Sequence, residues 1–322
     1  MEKVSEINFD KLRQIGDPPA DAFVSIYFAE PSKKMKLDEA FKNLKFNKDW
    51  PAFLLTIPEA SFFDEELEKI IPPEKRDISK AQSFYKDKEQ FILQLLGLLS
   101  LPYCYAAADG AKVLYQTERM YKDVETRLKE TAEFVTTVMH QNAFTAEGSA
   151  RVQIFKVRVM HAAARFYLQK SNWDATLGVP VNQEDMAGTN LSFSLIVIRG
   201  LRKMGFTIGH PEQLAYLKYW NYVGAMLGLK TVLVPPDGKF AREIDQQISE
   251  RQFRPSTEGK ALTKSLLNCF YNLNDEKLIS NKEIAAYMRF LLGPEISDIL
   301  DLPKGEFPTS KRMLLQIKNS FS

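Results

Sequence analysis

Beyond about residue 80, apolar positions recur at helical spacing over long stretches, with little of the strict alternation that marks half-buried strands. This pattern predicts an all-α body with helices over 87–101, 103–117, 118–142, 150–170, 183–203, 210–228, 240–252, 258–271, 281–291 and 309–319. The first 80 residues read differently. Pro18-Pro19, Pro31, Pro51, Pro58 and Pro72-Pro73 limit each helix there to a few turns, which predicts an irregular N-terminal extension wrapped on the rest. The strongest β-like run is Lys230-Thr231-Val232-Leu233-Val234, ended by Pro235-Pro236. The turn Pro235-Pro236-Asp237-Gly238 marks an expected boundary between a core at 81–234 and a C-terminal helical segment at 235–322 packed on the same core.

Two local patterns sharpen this division. The aliphatic run from Phe91 to Leu101 is about half the roughly 20 residues needed to span a bilayer and is stopped by Pro102, so it predicts a buried core helix. No integral membrane span is expected. Asn182 stands before Gln183, with Glu184 and Asp185 in the first turn, and so reads as the N-cap of a helix.

Composition narrows the partners. The chain has 322 residues, 45% hydrophobic and 26% charged, enough for a core that encloses a cofactor. Its 43 Lys and Arg against 41 Asp and Glu leave +2, a balance that offers nucleic acid no long-range attraction. With two cysteines and no CxxC, a disulfide framework, a cysteine zinc site and covalent c-type haem attachment are not expected. The start Met-Glu-Lys-Val-Ser-Glu-Ile-Asn lacks the basic residues and apolar run of an export signal, which predicts a cytoplasmic protein.

Candidate chemistry concentrates on two predicted helices. In the second, the apolar stripe Ile154, Val157, His161, Ala164, Leu168 puts a histidine where the pattern asks for an aliphatic residue. A neutral imidazole there suits either a hydrogen-bonded core histidine or an axial metal ligand. Ala162, Ala163 and Ala164 leave room for something flat beside it. Arg151, Arg158 and Arg165 form a ridge at seven-residue spacing that suits carboxylates, either those of a cofactor or those of neighbouring helices. In the first helix Arg127 and Thr131 lie four residues apart, with Glu130 three residues from Arg127, a spacing equally compatible with a surface arginine. Phe155, Phe166, Tyr167, Trp173, Phe193 and Trp220 are candidates for an apolar pocket wall or plain core.

The sequence contains no GxGxxG after a strand, GxxxxGK[ST], GxSxG or HExxH, and no Glu-x-x-His pair for a di-iron site. Three histidines, His140, His161 and His210, are too few for sites that need several, whereas a metal held by one protein ligand fits.

Between about 124 and 228 the run Lys156-Val-Arg158-Val-Met-His161-Ala-Ala-Ala-Arg165, Trp173, Gly178-Val-Pro180-Val-Asn182-Gln183-Glu-Asp185-Met186, Thr189, Phe193, Leu201-Arg202 and Tyr216 to Gly224 resembles the catalytic domain of MpaB-type oxygenases and latex-clearing rubber oxygenases. The resemblance implies an all-α fold enclosing a non-covalent haem b, with His161 as proximal ligand and metal-binding residue. It also implies distal roles for Arg127, which would polarise or hold the distal pocket, and for Thr131. Arg158 and Arg165 become candidates for the haem propionates. One departure is Glu130, where some polymer-cleaving members carry a lysine; it becomes a candidate acid or base. Asp109 is the nearest candidate for an upstream carboxylate. The implied activity is a haem b oxygenase using O2 as co-substrate on a C=C bond of an apolar small molecule, an isoprenoid, terpenoid or unsaturated lipid. Two alternatives stand beside it: a non-catalytic haem carrier or gas sensor, and a haem-free binder of apolar ligands.

Overall fold

The computed structural model describes residues 3–117, 123–274, 279–311 and 313. Its N-terminal part is α1 (Phe9–Arg13), α2 (Pro18–Phe28), α3 (Pro31–Asn43), α4 (Trp50–Thr56) and α5 (Phe62–Leu67). The prolines shorten these helices by starting them: Pro18, Pro31 and Pro51 occupy first-turn positions, where a missing N–H costs nothing. There follow α6 (Lys75–Leu95), a π-helical turn at Leu96–Ser100, α7 (Leu101–Tyr105), α8 (Ala108–Gln116), α9 (Val124–Met139) and α10 (Ala150–Gln169). The remainder is α11 (Gln183–Phe193), α12 (Leu195–Lys203), α13 (His210–Met226), α14 (Gly238–Gln252), α15 (Thr257–Leu273), α16 (Asn281–Leu292) and α17 (Pro294–Ile299). The fold is all-α.

Several elements differ from expectation for physical reasons. The predicted helix over 103–117 breaks at Ala106 and Ala107, where Ala107 turns to an extended conformation and pairs with Phe253 in an isolated bridge. That over 183–203 breaks at Ser194 (φ −113°, ψ −81°), whose hydroxyl donates back to Asn190. The β-like run at 230–234 finds no neighbouring strand among the described residues and instead forms a 3-10 turn at Thr231–Leu233. Asn182 caps α11 as expected, its side chain accepting from the Asp185 N–H at 3.0 Å. Residues 118–122 of the predicted 118–142 helix, and 312 and 314–319 of the last one, lie outside the described residues. Most of the aliphatic run 91–101 is buried, with Phe91, Leu93 and Leu101 half-buried and Gln94 exposed, and among the described residues no helix is long and apolar enough to cross a membrane.

α10 is the beam on which the N-terminal helices rest. Phe155, fully buried, is ringed by Phe23, Phe41, Trp50, Phe53, Phe62 and Phe63 at centroid distances of 4.9 to 6.2 Å. Such tilted and edge-on contacts add to the stabilisation from apolar burial. Phe155 is thus core and not a pocket wall. One turn on, Arg158 reaches into the same layer and grips Asp17 with two hydrogen bonds, Nε to Oδ2 at 2.6 Å and Nη2 to Oδ1 at 2.8 Å. Its Nη1 donates to the Met226 carbonyl at 3.3 Å. Gly228, at φ +93°, has space only for hydrogen, because a Cβ there would lie 2.5 Å from Asp17.

The Asp17–Arg158 pair is 3% and 1% exposed, so removing Asp17 leaves the buried guanidinium only the looser Glu66 carboxylate at 3.8 Å. Asp17→Ala is expected to lower unfolding stability by about 3–5 kcal/mol, and Asp17→Ala with Arg158→Met to recover most of that loss in urea melts. Equal melts for Asp17→Ala and the unsubstituted chain would contradict the pairing.

Candidate functional site

The predicted site residues sit on α9 and α10, which pack against each other. Asp123 caps α9 by accepting from the Thr126 N–H at 3.3 Å. On α9, Arg127 Nη1 donates to Glu130 Oε2 at 2.8 Å, and the Thr131 hydroxyl donates to the Arg127 carbonyl at 2.8 Å. The three residues therefore form one linked group along a single turn.

On α10, His161 carries a buried Nδ1 without a hydrogen-bond partner among the described residues. Burial first, then the positive charges of Arg165 and Arg127, push its imidazole down to about 4. At neutral pH the ring is uncharged and retains an available lone pair. One turn further, Arg165 Nε donates to Asp21 at 2.6 Å and Nη1 to the Val181 carbonyl at 3.0 Å, while Nη2 is buried and unpartnered. Arg158, by contrast, has its donors committed to Asp17 and Met226. His161 and Arg165 thus present two orphaned polar atoms on consecutive turns of one helix. Buried polar atoms normally have partners, and other unpartnered ones among the described residues lie at Asn47, Arg151, Asn190, Arg199, Trp220 and Asn221.

A cavity of about 500 Å³ lies between the π-helical turn, α9, α15 and α16. Its wall includes Leu96, Gly97, Leu98, Leu128, Thr131, Phe270, Ile284 and Tyr287. Thr131 belongs to both this wall and the Arg127 group, whereas His161 and Arg127 are not lining residues. None of the six aromatics singled out from the sequence lines it. Phe166 and Tyr167 pack on Phe28, Trp173 donates to the Gly178 carbonyl, and Phe193 packs on Trp220. The wall that sequence reasoning missed came from the 91–101 run, whose aliphatic density signalled burial but not a void.

Asp109 lies elsewhere, in a clasp that joins the N-terminal segment to α8, α11 and the end of α14. Its carboxylate pairs with Arg254 and, at 3.3 Å, with Arg13. Arg13 also donates to Glu184 at 3.0 Å and Asp185 at 3.1 Å, and Arg251 bridges Glu184 at 2.7 Å and Asp10 at 2.6 Å. Burial raises Asp185 to about 6, with Glu184 and Asp109 pushing the same way and Arg13 opposing.

Residues 91–317 match the family described as ER-bound oxygenase mpaB/B'/rubber oxygenase, catalytic domain. The chain belongs to this family. A rubber oxygenase from Streptomyces sp. (strain K30) is 27% identical over 235 residues, covering 72% of this chain and 57% of that one. The chain thus spans just over half the length of that curated relative. A structure of latex clearing protein in the closed state superposes with a TM-score of 0.78 at 22% identity, over 96% of this chain and 85% of the other. This likeness shows a shared all-α fold that extends through the N-terminal helices, beyond the residues the family description matches.

The clasp makes stability depend on pH in a defined direction. A carboxyl raised in the folded state contributes stability that is fully present below its unfolded value near 4 and is lost as pH rises through about 6. His161, lowered to about 4, acts oppositely, contributing above about 6.5 and losing that contribution as pH falls. Comparing the unsubstituted chain with Asp185→Asn cancels the histidine. From pH 7.5 to 4.5 the unsubstituted chain is expected to gain about 2 kcal/mol relative to the variant in urea unfolding. A relative loss over that interval would contradict the electrostatics of the clasp.

Proposed function

We propose that the protein is a haem b oxygenase that uses O2 on a C=C bond of an apolar isoprenoid, terpenoid or unsaturated lipid. The observation that carries the proposal is His161: an uncharged imidazole with an orphaned buried nitrogen, on the helix and in the Arg-x-x-His-Ala setting of the family. The donor set fits the cofactor. His161 would hold the iron, and Arg165 Nη2, one turn away, would give a propionate its charge-assisted bond. Arg158 is the weaker of the two propionate candidates, since its guanidinium is saturated by Asp17 and Met226. Haem, when bound, supplies the redox chemistry that makes O2 reactive.

The remaining roles belong to the chain. Arg127 places a positive charge near His161, which electrostatic coupling between the two reports. Glu130, in its 2.8 Å bond to Arg127, orients that charge and offers a carboxylate for moving a proton at its edge. Thr131 lines the apolar cavity, with its hydroxyl bonded back to the Arg127 carbonyl, and would contact the substrate from α9. The aliphatic wall of the cavity would hold the hydrocarbon part of the substrate. In the same reading, the described residues of 1–80 wrap the described part of the cofactor-holding core at 81–234, and those of 235–322 pack against it.

Substitutions separate these roles. His161→Ala is expected to be purified with less than a tenth of the haem of the unsubstituted chain, while Arg127→Ala keeps haem and loses at least tenfold in O2-dependent turnover of an isoprenoid. Undiminished haem with an unaltered absorption spectrum in His161→Ala would overturn the ligand assignment.

A further inference from the structure

We infer that Gly16, Asp21 and Val181 are positioning residues that hold the Arg165 guanidinium with Nη2 kept open for a carboxylate of the bound haem, so that the protein distinguishes haem with free propionates from haem without them. The two arginines of α10 show the difference between a guanidinium that is used up and one that is held open. Arg158 lays its Nε–Nη2 edge on both oxygens of Asp17. Arg165 presents the corresponding edge to Asp21, and only Nε is answered, by Oδ1 at 2.6 Å. The second oxygen, Oδ2, accepts the Asp17 backbone N–H at 3.1 Å instead. Nη2 therefore stays buried and without a partner among the described residues, in a side chain that belongs to the core.

Two further contacts hold that arrangement. Nη1 donates to the Val181 carbonyl at 3.0 Å, and Val181 stands at φ +50°, a left-handed turn that a β-branched residue rarely adopts. Such strain persists only where the surroundings over-determine it. Here they do: on either side of Val181 the chain is laced to the N-terminal segment, the Val179 N–H donating to the Arg13 carbonyl at 2.9 Å and the Gln183 N–H to the Ile15 carbonyl at 3.0 Å. Gln183 Nε2 adds a bond to the Gly16 carbonyl at 2.8 Å. Gly16 itself is pressed against the arginine, for a Cβ there would lie 2.7 Å from Arg165 Cδ and 2.8 Å from Nε. A planar guanidinium fixed at two nitrogens has the direction of its third nitrogen fixed as well. A carboxylate is the group that such a donor binds best, and His161 stands one turn before it on the same helix.

The inference rests on the haem reading of His161, and its test does not require turnover. The full chain, expressed without added haem, is titrated with hemin and with hemin dimethyl ester, whose propionates are blocked, and binding is followed by absorbance. The unsubstituted chain is expected to bind hemin about tenfold or more tighter than the ester, the worth of a charged hydrogen bond. Gly16→Ala keeps every polar group and crowds Arg165; it should bring the two affinities to within about threefold by weakening hemin alone. The ester's affinity and its Soret band should stay as they were, a split that general loosening of the fold would not produce. Val181→Pro, fixed at a φ of about −65°, should act as Gly16→Ala does, and Val181→Gly, which takes the left-handed turn without strain, should restore the preference. Equal affinities for the two pigments in the unsubstituted chain, or a preference that survives Gly16→Ala, would overturn the inference and leave ligation by His161 standing. No absorbance change with either pigment would remove the haem reading and this inference with it.

Discussion

A guanidinium buried in a protein interior must find a carboxylate, and two such guanidiniums on α10 dictate how the N-terminal helices lie. Arg158 takes Asp17, the residue that precedes α2, and Arg165 takes Asp21 in the first turn of α2. The two pairs hold the start of α2 against α10, and the aromatic ring around Phe155 then fills the layer beside it. Were α2 displaced by a turn, both charges would lose their partners, a cost of several kcal/mol each. The fold is thereby anchored from the helix that also carries His161.

The same constraint shapes the site's electrostatics. Arg165 commits Nε to the N-terminal layer and Nη1 to the Val181 carbonyl and leaves Nη2 without a partner among the described residues, while its charge helps keep His161 neutral. Arg127 acts on the histidine from α9. Cations flanking an imidazole are unfavourable to a protonated ring and compatible with a metal-ligating one. The helical scaffold shared with latex clearing protein at 22% identity shows how much sequence can change while this helix packing persists.

The sequence displayed the helices of the core and the histidine out of pattern within an apolar stripe, because both are periodic signals carried on one helix. It displayed the cap at Asn182 for the same local reason. It did not display the breaks at Ala107 and Ser194, where tertiary packing overrides continuous helical spacing. Nor could it show that Arg158 is saturated and Arg165 is not, since their partners lie 141 and 144 residues away. The cavity wall at Gly97 and Phe270 was hidden too: a void is a property of three helices at once, and each contributes only ordinary core residues. The clasp of Arg13, Asp109, Glu184 and Arg251 joins four distant segments and leaves no local pattern.

The central claim is that α10 holds a haem through His161. The visible spectrum of the full chain after haem-supplemented expression, with a pyridine haemochrome assay, tests it most directly. The account predicts about one b-type haem per chain and a Soret band near roughly 400–415 nm. A spectrum of protein absorbance alone, unchanged on adding hemin, would contradict it.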